Sequence, residues 1–166
     1  MPIPANLAAS LRYPVSGVIT AGCTLSPDTR DVTIIGLADP QTDTVKSTRT
    51  DLGFAVDCNS RVRVRLQSRE GGLRYTAAGT SDGAFTSLVS YDAALELPGH
   101  GVVLDCTSSN MVEGGTCASE PDGVVTSGRG RVAIRTKAEN RLLLAGQYSD
   151  RVIVSLTPML GGEAPL

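Results

Sequence analysis

Residues 52–66 read Leu52-Gly53-Phe54-Ala55-Val56-Asp57-Cys58-Asn59-Ser60-Arg61-Val62-Arg63-Val64-Arg65-Leu66. Leu52, Phe54, Val56 and Cys58 share one parity, and Val62, Val64 and Leu66 continue it. Arg61, Arg63 and Arg65 stand on the other. Residues two apart lie on one face of an extended chain, whereas a helix would scatter them around its axis. The stretch therefore predicts a long strand with an apolar face toward a core and a charged face toward water, as in antiparallel sheets solvated on one side. Asn59-Ser60 interrupts the pattern without shifting its parity, which predicts a kink or bulge between two segments of one strand. As the wet face of such a strand, the arginine ladder requires no ligand.

The same period recurs outward in both directions. Near the N-terminus Leu7, Ala9, Leu11, Tyr13 and Val15 fall on one parity, with Ser10, Arg12 and Ser16 on the other. Pro14 sits on the polar parity and removes one ladder donor, which suits an edge, a kink or the end of a pairing segment. A second strand is expected over Val18 to Leu25, a turn at Ser26-Pro27-Asp28 and a short strand over Val32 to Leu37. Residues 40–51 are polar and Thr-rich, read as a loop or edge strand. Beyond Glu70-Gly71-Gly72 the pattern predicts strands at Leu73 to Ala77, Val89 to Leu97 and Val102 to Cys106, with loops at Gly79 to Gly83 and Pro98 to Gly101. Val124, Val132 and Ile134 mark two further strands, split by a hairpin turn at Gly128-Arg129-Gly130. A short apolar run, Leu142 to Ala145, precedes a last strong strand from Tyr148 through Val152, Val154 and Leu156, read as a central strand. Thr157 to Leu166 is expected as a tail. Short strands punctuated by turn residues predict an all-β sandwich or barrel.

Composition narrows the function classes. The chain has 166 residues, fitting one domain, with 41% hydrophobic and 4% aromatic residues and no Trp, so its core rests on Val, Leu, Ile and Ala. A formal net charge of −2 argues against nucleic acid as a partner, since phosphate contact needs a basic excess. No run approaches the roughly 18 apolar residues of a membrane span. The first ten residues have neither a basic nor a hydrophobic segment of the kind a secretion signal needs, so an exported form would be a mature chain.

The four cysteines, Cys23, Cys58, Cys106 and Cys117, are widely spaced and form no CxxC pair. The lone histidine, His100, lies between two glycines. Neither a Cys/His metal site nor a Cys–His catalytic pair is expected, and two disulfides in an oxidising compartment are. Four cysteines permit three pairings. Cys23–Cys58 with Cys106–Cys117 is favoured because the second pair closes a short Gly-containing loop, Thr107 to Thr116. No nucleophile motif accompanies His100, and acids such as Asp28/Asp31 and Asp39/Asp43 lie in turn-rich segments, where solvated caps are commoner than catalytic pairs. No enzyme activity, cofactor or metal is expected.

Three stretches together resemble the spore coat protein U family, the subunits of archaic chaperone–usher pili. They are the N-terminal alternating strand running into Thr20-Ala21-Gly22-Cys23-Thr24-Leu25; Phe54-Ala55-Val56-Asp57-Cys58-Asn59 with the arginine strand and Gly71-Gly72 after it; and Ala145-Gly146-Gln147-Tyr148-Ser149-Asp150 running into Val152-Ile153-Val154-Ser155-Leu156. Tyr91-Asp92-Ala93-Ala94 is a weaker match. The chain departs from the family pattern by continuing to Leu166 and by its Cys106–Cys117 loop. The resemblance implies an incomplete immunoglobulin-like β-sandwich over residues 17–166 that lacks its last strand, with residues 1–16 as a donor strand. The donor face would be Leu7, Ala9, Leu11, Tyr13 and Val15, and the acceptor groove would be bordered by Tyr148, Val152, Val154 and Leu156. It implies identical or related subunits, a periplasmic chaperone and an outer-membrane usher as partners, and export through the periplasm to a surface filament serving adhesion and biofilm formation. The alternative is a secreted binding module or tip adhesin that keeps its own N-terminal strand.

Overall fold

The computed structural model describes residues 10, 12–28, 34, 36–77 and 85–159. Its strands are β1 (Cys23–Pro27), β2 (Thr48–Cys58), β3 (Arg61–Ser68), β4 (Leu73–Tyr75), β5 (Phe85–Thr86), β6 (Leu88–Val89), β7 (Tyr91–Leu97), β8 (Gly101–Thr107), β9 (Ala118–Ser119), β10 (Gly128–Thr136), β11 (Leu142–Leu143), β12 (Tyr148–Ser149) and β13 (Val152–Met159). One layer is the antiparallel sheet β1-β2-β10-β7-β8. The second is the sheet β13-β3-β9; a separate three-stranded sheet, β12-β4-β6, contributes Val89, Leu73 and Tyr148 to a second, smaller apolar cluster with Val45 and Leu143. A small parallel pair, β5 with β11, stands beside them. Phe54, Val56, Tyr91, Ala93, Leu95 and Val132 of the first layer pack against Val62, Val64 and Leu66 of the second in one core. The molecule is an all-β, immunoglobulin-like sandwich.

The alternating stretch explains the sandwich. β2 lies in the first layer and β3 in the second, so the chain changes layers at the interruption, Asn59-Ser60. Because that step spans an even number of residues, the same parity stays inward on both sides of the core, and Val62, Val64 and Leu66 are at most 1% exposed. Burying each such side chain contributes about 1.5–3 kcal/mol. The Asn59 side chain fastens the corner, accepting from the Gly22 amide at 2.8 Å and donating to the Thr20 carbonyl at 3.0 Å.

Several sequence expectations change in the structure. The Thr-rich end of residues 40–51, expected as a loop or edge strand, is strand: Thr48–Asp51 open β2, where β10 is their one partner among the described residues, since β1 pairs only with Phe54–Cys58. The Thr48 and Thr136 hydroxyls bond each other at 2.6 Å, and Thr136 also donates to the Lys46 carbonyl, so polar residues are satisfied inside the sheet. Gly128-Arg129-Gly130 is not a hairpin turn but part of β10. A Cβ on Gly130 would meet the Phe54 ring at 2.4 Å, so glycine serves close packing there. The strand expected over Val18 to Leu25 begins only at Cys23, because its partner β2 leaves the layer after Cys58, and Ser26-Pro27 belongs to β1 rather than to a turn. The strand expected over Val32 to Leu37 falls largely outside the described residues, as does the Gly79 to Gly83 loop.

Disulfides join Cys23 to Cys58 and Cys106 to Cys117. The first spans 35 residues, for which loop closure gives about 3–4 kcal/mol. The second closes a loop anchored by Met111, which is 1% exposed and whose carbonyl accepts the Ser68 amide at 2.8 Å.

Candidate functional site: an open groove between the layers

The two sides of the sandwich are finished differently. On one side β8 and β3 approach each other with β9 beside them; the Ser119 hydroxyl donates to the Val103 carbonyl at 3.0 Å and the Cys106–Cys117 bridge staples the margin. On the other side β1 has only β2 as a partner, and β13 only β3, among the described residues. Between these edges lies a groove of about 750 Å³. Its walls are Leu25 and Pro27 of β1, Leu52 and Phe54 of β2, Val132 and Ile134 of β10, and Val152 to Val154 of β13. Arg69, Glu70, Asp150 and Arg151 make one end polar.

The register of β13 identifies which backbone groups face the opening. The Leu66 amide donates away from β13, to the Cys117 carbonyl at 3.2 Å, whereas the Arg69 amide donates to the Arg151 carbonyl at 3.0 Å. Odd residues of β3 therefore bond toward β13 and even residues toward β9. Val154 lies opposite Leu66 and Leu156 opposite Val64. In antiparallel pairing the N–H and C=O of one residue point to the same side. Val152, Val154, Leu156 and Pro158 thus turn their backbone groups to the open side, and Val152, Val154 and Leu156 also lean their side chains on the core. The strand expected to be central and to border the open groove, β13, borders it with β3 as its one neighbour among the described residues. Its alternation is strong because one face is half-buried, which requires no second neighbour.

Of the acceptor set read from sequence, Val152 and Val154 line the groove and Leu156 continues the same strand. Tyr148 does not join them. It lies in β12, its ring packed on Tyr75 with centroids 5.1 Å apart and its hydroxyl donating to the Leu144 carbonyl at 3.1 Å.

The AGxYxD ending proves to be a hydrogen-bonded knot at the polar end of the groove. Tyr75 donates to the Ala145 carbonyl at 2.9 Å, and its ring lies against Gly146, where a Cβ would come within 2.5 Å of it. Asp150 accepts from the Glu70 amide at 2.9 Å, from its neighbour's Arg151 amide at 2.7 Å, and from the Ser68 and Tyr91 hydroxyls. Tyr91 belongs to β7 in the first layer and Ser68 to β3 in the second. One carboxylate therefore ties the layers together beside the opening. Periodicity could not reveal this site; the sequence signal was the family resemblance carried by Ala145 to Asp150.

Burial, and then donation to Asp150, pushes the Tyr91 phenol well above its ordinary value. Unfolded tyrosine titrates near pH ~10. Below that pH both states hold the proton and the contribution is complete. Above it the unfolded chain releases its proton first, so stability falls as pH rises toward the folded value. Tyr148 is raised in the same direction by burial. Urea midpoints should decline between about pH 9.5 and 11, and Tyr91→Phe should flatten that slope; an equal slope in both proteins would reject the network.

Leu7, Ala9 and Leu11 of the expected donor face lie outside the described residues. Tyr13 and Val15 are 75% and 91% exposed, and residues 12–22 belong to no strand. His100 occupies the β7–β8 turn, its ring nitrogen 3.2 Å from the Val124 carbonyl. Among the described residues no group of His, Cys, Asp and Glu could hold a metal ion, and no helix is long and apolar enough to cross a membrane.

The fold recurs in a solved chain from a complex described as a chaperone–tip adhesin complex vital for synergistic activation of CFA/I fimbriae biogenesis. The two chains are 19% identical with a TM-score of 0.51, and the match covers 84% of this chain and 42% of that one. At that identity the likeness establishes the fold alone, and this chain spans less than half the length of its neighbour. No family model and no curated protein sequence matches the chain.

Proposed function

We propose that the chain is a structural subunit of a chaperone–usher surface filament, built as in the spore coat protein U family, whose groove receives the N-terminal strand of a second copy. The observation that carries this reading is the free edge of β13. The Val152, Val154 and Leu156 amides point away from β3, with Val152 and Val154 lining a largely apolar groove, while the same chain carries an alternating apolar segment, Leu7 to Val15, whose described residues belong to no strand. An edge of that kind attracts another strand. Backbone bonds give such a pairing affinity and alternate side chains give it specificity. The fimbrial setting of the structural neighbour supports the same context. A periplasmic chaperone would cover the groove before assembly, and an outer-membrane usher would exchange its strand for the next subunit's. No catalytic step is part of this function.

Strand direction favours an open filament. The N-terminal segment departs from Cys23, at the end of the sandwich that holds Asn59 and Met159, whereas β13 begins at the opposite end. A donor antiparallel to β13 would enter from that opposite end, so every subunit gives at one end and receives at the other. A head-to-tail contact does not close on itself. A parallel donor would bring two departing ends together and allow a closed, reciprocal pair. Electron microscopy of the purified chain should reveal linear polymers. A stable monomer that binds a saccharide, with the N-terminal strand retained in its own sandwich, would replace this reading with that of a binding module or tip adhesin.

A further inference from the structure

We infer that the acceptor edge is bounded by Asp150 and Pro158, and that it seats the partner copy's Tyr13 opposite Val154 at the deep, polar end of the groove. The inference rests on the strand-acceptor reading and adds the register to it. At one boundary the Asp150 carboxylate holds the Glu70 and Arg151 amides, so the free ladder starts at Val152. At the other, Pro158 shares the parity of the open edge but has no N–H to offer. Val152, Val154 and Leu156, with Pro158 at the boundary itself, are the four positions whose backbone groups point away from β3.

An antiparallel donor places its apolar odd positions opposite these four, with Val15 at Val152, Tyr13 at Val154, Leu11 at Leu156 and Ala9 at Pro158. In this register the donor's odd residues turn their N–H groups toward β13. Pro14, on the even parity, turns the side without an N–H away from it, so the proline leaves the β13 ladder whole. Volume points the same way. The groove is lined at Val152 to Val154, together with Leu52, Phe54, Val132 and Ile134, and not at Leu156 or Pro158. The deep end calls for the largest side chain and the shallow end for the smallest, matching Tyr13 and Ala9. A tyrosine there buries its ring while its hydroxyl reaches the polar end formed by Arg69, Glu70, Asp150 and Arg151.

The test places a photoreactive aromatic in the full chain, Tyr13→p-benzoylphenylalanine, and assembles it with isotope-labelled wild-type chains before illumination. Mass spectrometry then maps links between labelled and unlabelled chains. Links on Leu52, Phe54, Val132 or Ile134 of another copy are expected. Links between copies that instead fall beside Leu156 to Met159 would overturn the register while leaving strand donation standing. Links confined to the same chain would remove both. In parallel, Tyr13→Ala should shorten the lifetime of the assembled form by about a hundredfold, as loss of a buried aromatic implies, and Tyr13→Phe by much less. Equal lifetimes for Tyr13→Ala and wild type would reject the placement of Tyr13.

Discussion

A chain lacking Met1–Val15 is expected to accept a donor strand and give none, so that it stops filaments instead of extending them. Of the described residues in the removed part, Tyr13 and Val15 stand in solvent, while the disulfide and the described core contacts begin at Cys23. The groove and the free edge of β13 remain. Mixed with intact subunits as one part in ten, such chains should limit filaments to a mean of about ten subunits, because each addition then carries a one-in-ten chance of ending growth at a non-closing contact. Leu11→Asp should act similarly by forcing a carboxylate into an apolar groove, where an unpaired charge is heavily penalised. Filament lengths read from micrographs decide the matter. Lengths indifferent to the truncated chain would mean that assembly runs through another surface.

The even-numbered apolar face of residues 52–66 was enough to predict a strand with one wet side, but Asn59-Ser60, read as a kink or bulge within one strand, is where the chain passes from β2 in one layer to β3 in the other. What stayed hidden depends on residues far apart in the chain. Gly130 looks like a turn residue until the Phe54 ring is laid over it, and Thr48 looks like a loop residue until Thr136 satisfies its hydroxyl. The edge status of β13 was hidden for a deeper reason. A half-buried strand alternates in the same way whether its second neighbour comes from its own chain, from another chain, or is absent. Periodicity reports faces, whereas the groove is a property of sides.

Asp150→Ala is expected to be the most destabilising truncation of a polar side chain around the groove. It deletes the acceptor for two backbone amides and two hydroxyls at once. Tyr91, at 3% exposure, cannot turn to water for a replacement, and Ser68, at 2%, keeps only its role as acceptor for the Gly71 amide at 2.9 Å. Hydrogen bonds to a charged group contribute about 1.5–3 kcal/mol each, but the exposed share of the site lets water recover part of that. A net cost of about 3 kcal/mol follows, or a fall of about 6–12 °C in Tm for a domain of this size. Urea unfolding of the monomeric chain should show a lower midpoint with an unchanged slope, as for a loss of stability without a change in compactness. Asp150→Asn separates the contributions. Its one carbonyl oxygen can still accept the Glu70 and Arg151 amides, while its NH₂ meets the Ser68 and Tyr91 hydroxyls as a donor where an acceptor is required. It should therefore lose about half as much, and the loss should come mainly from the tie between layers. If Asp150→Ala leaves the midpoint where it was, the knot does not hold β13 in place, and the position of the acceptor edge must come from the β3 ladder alone.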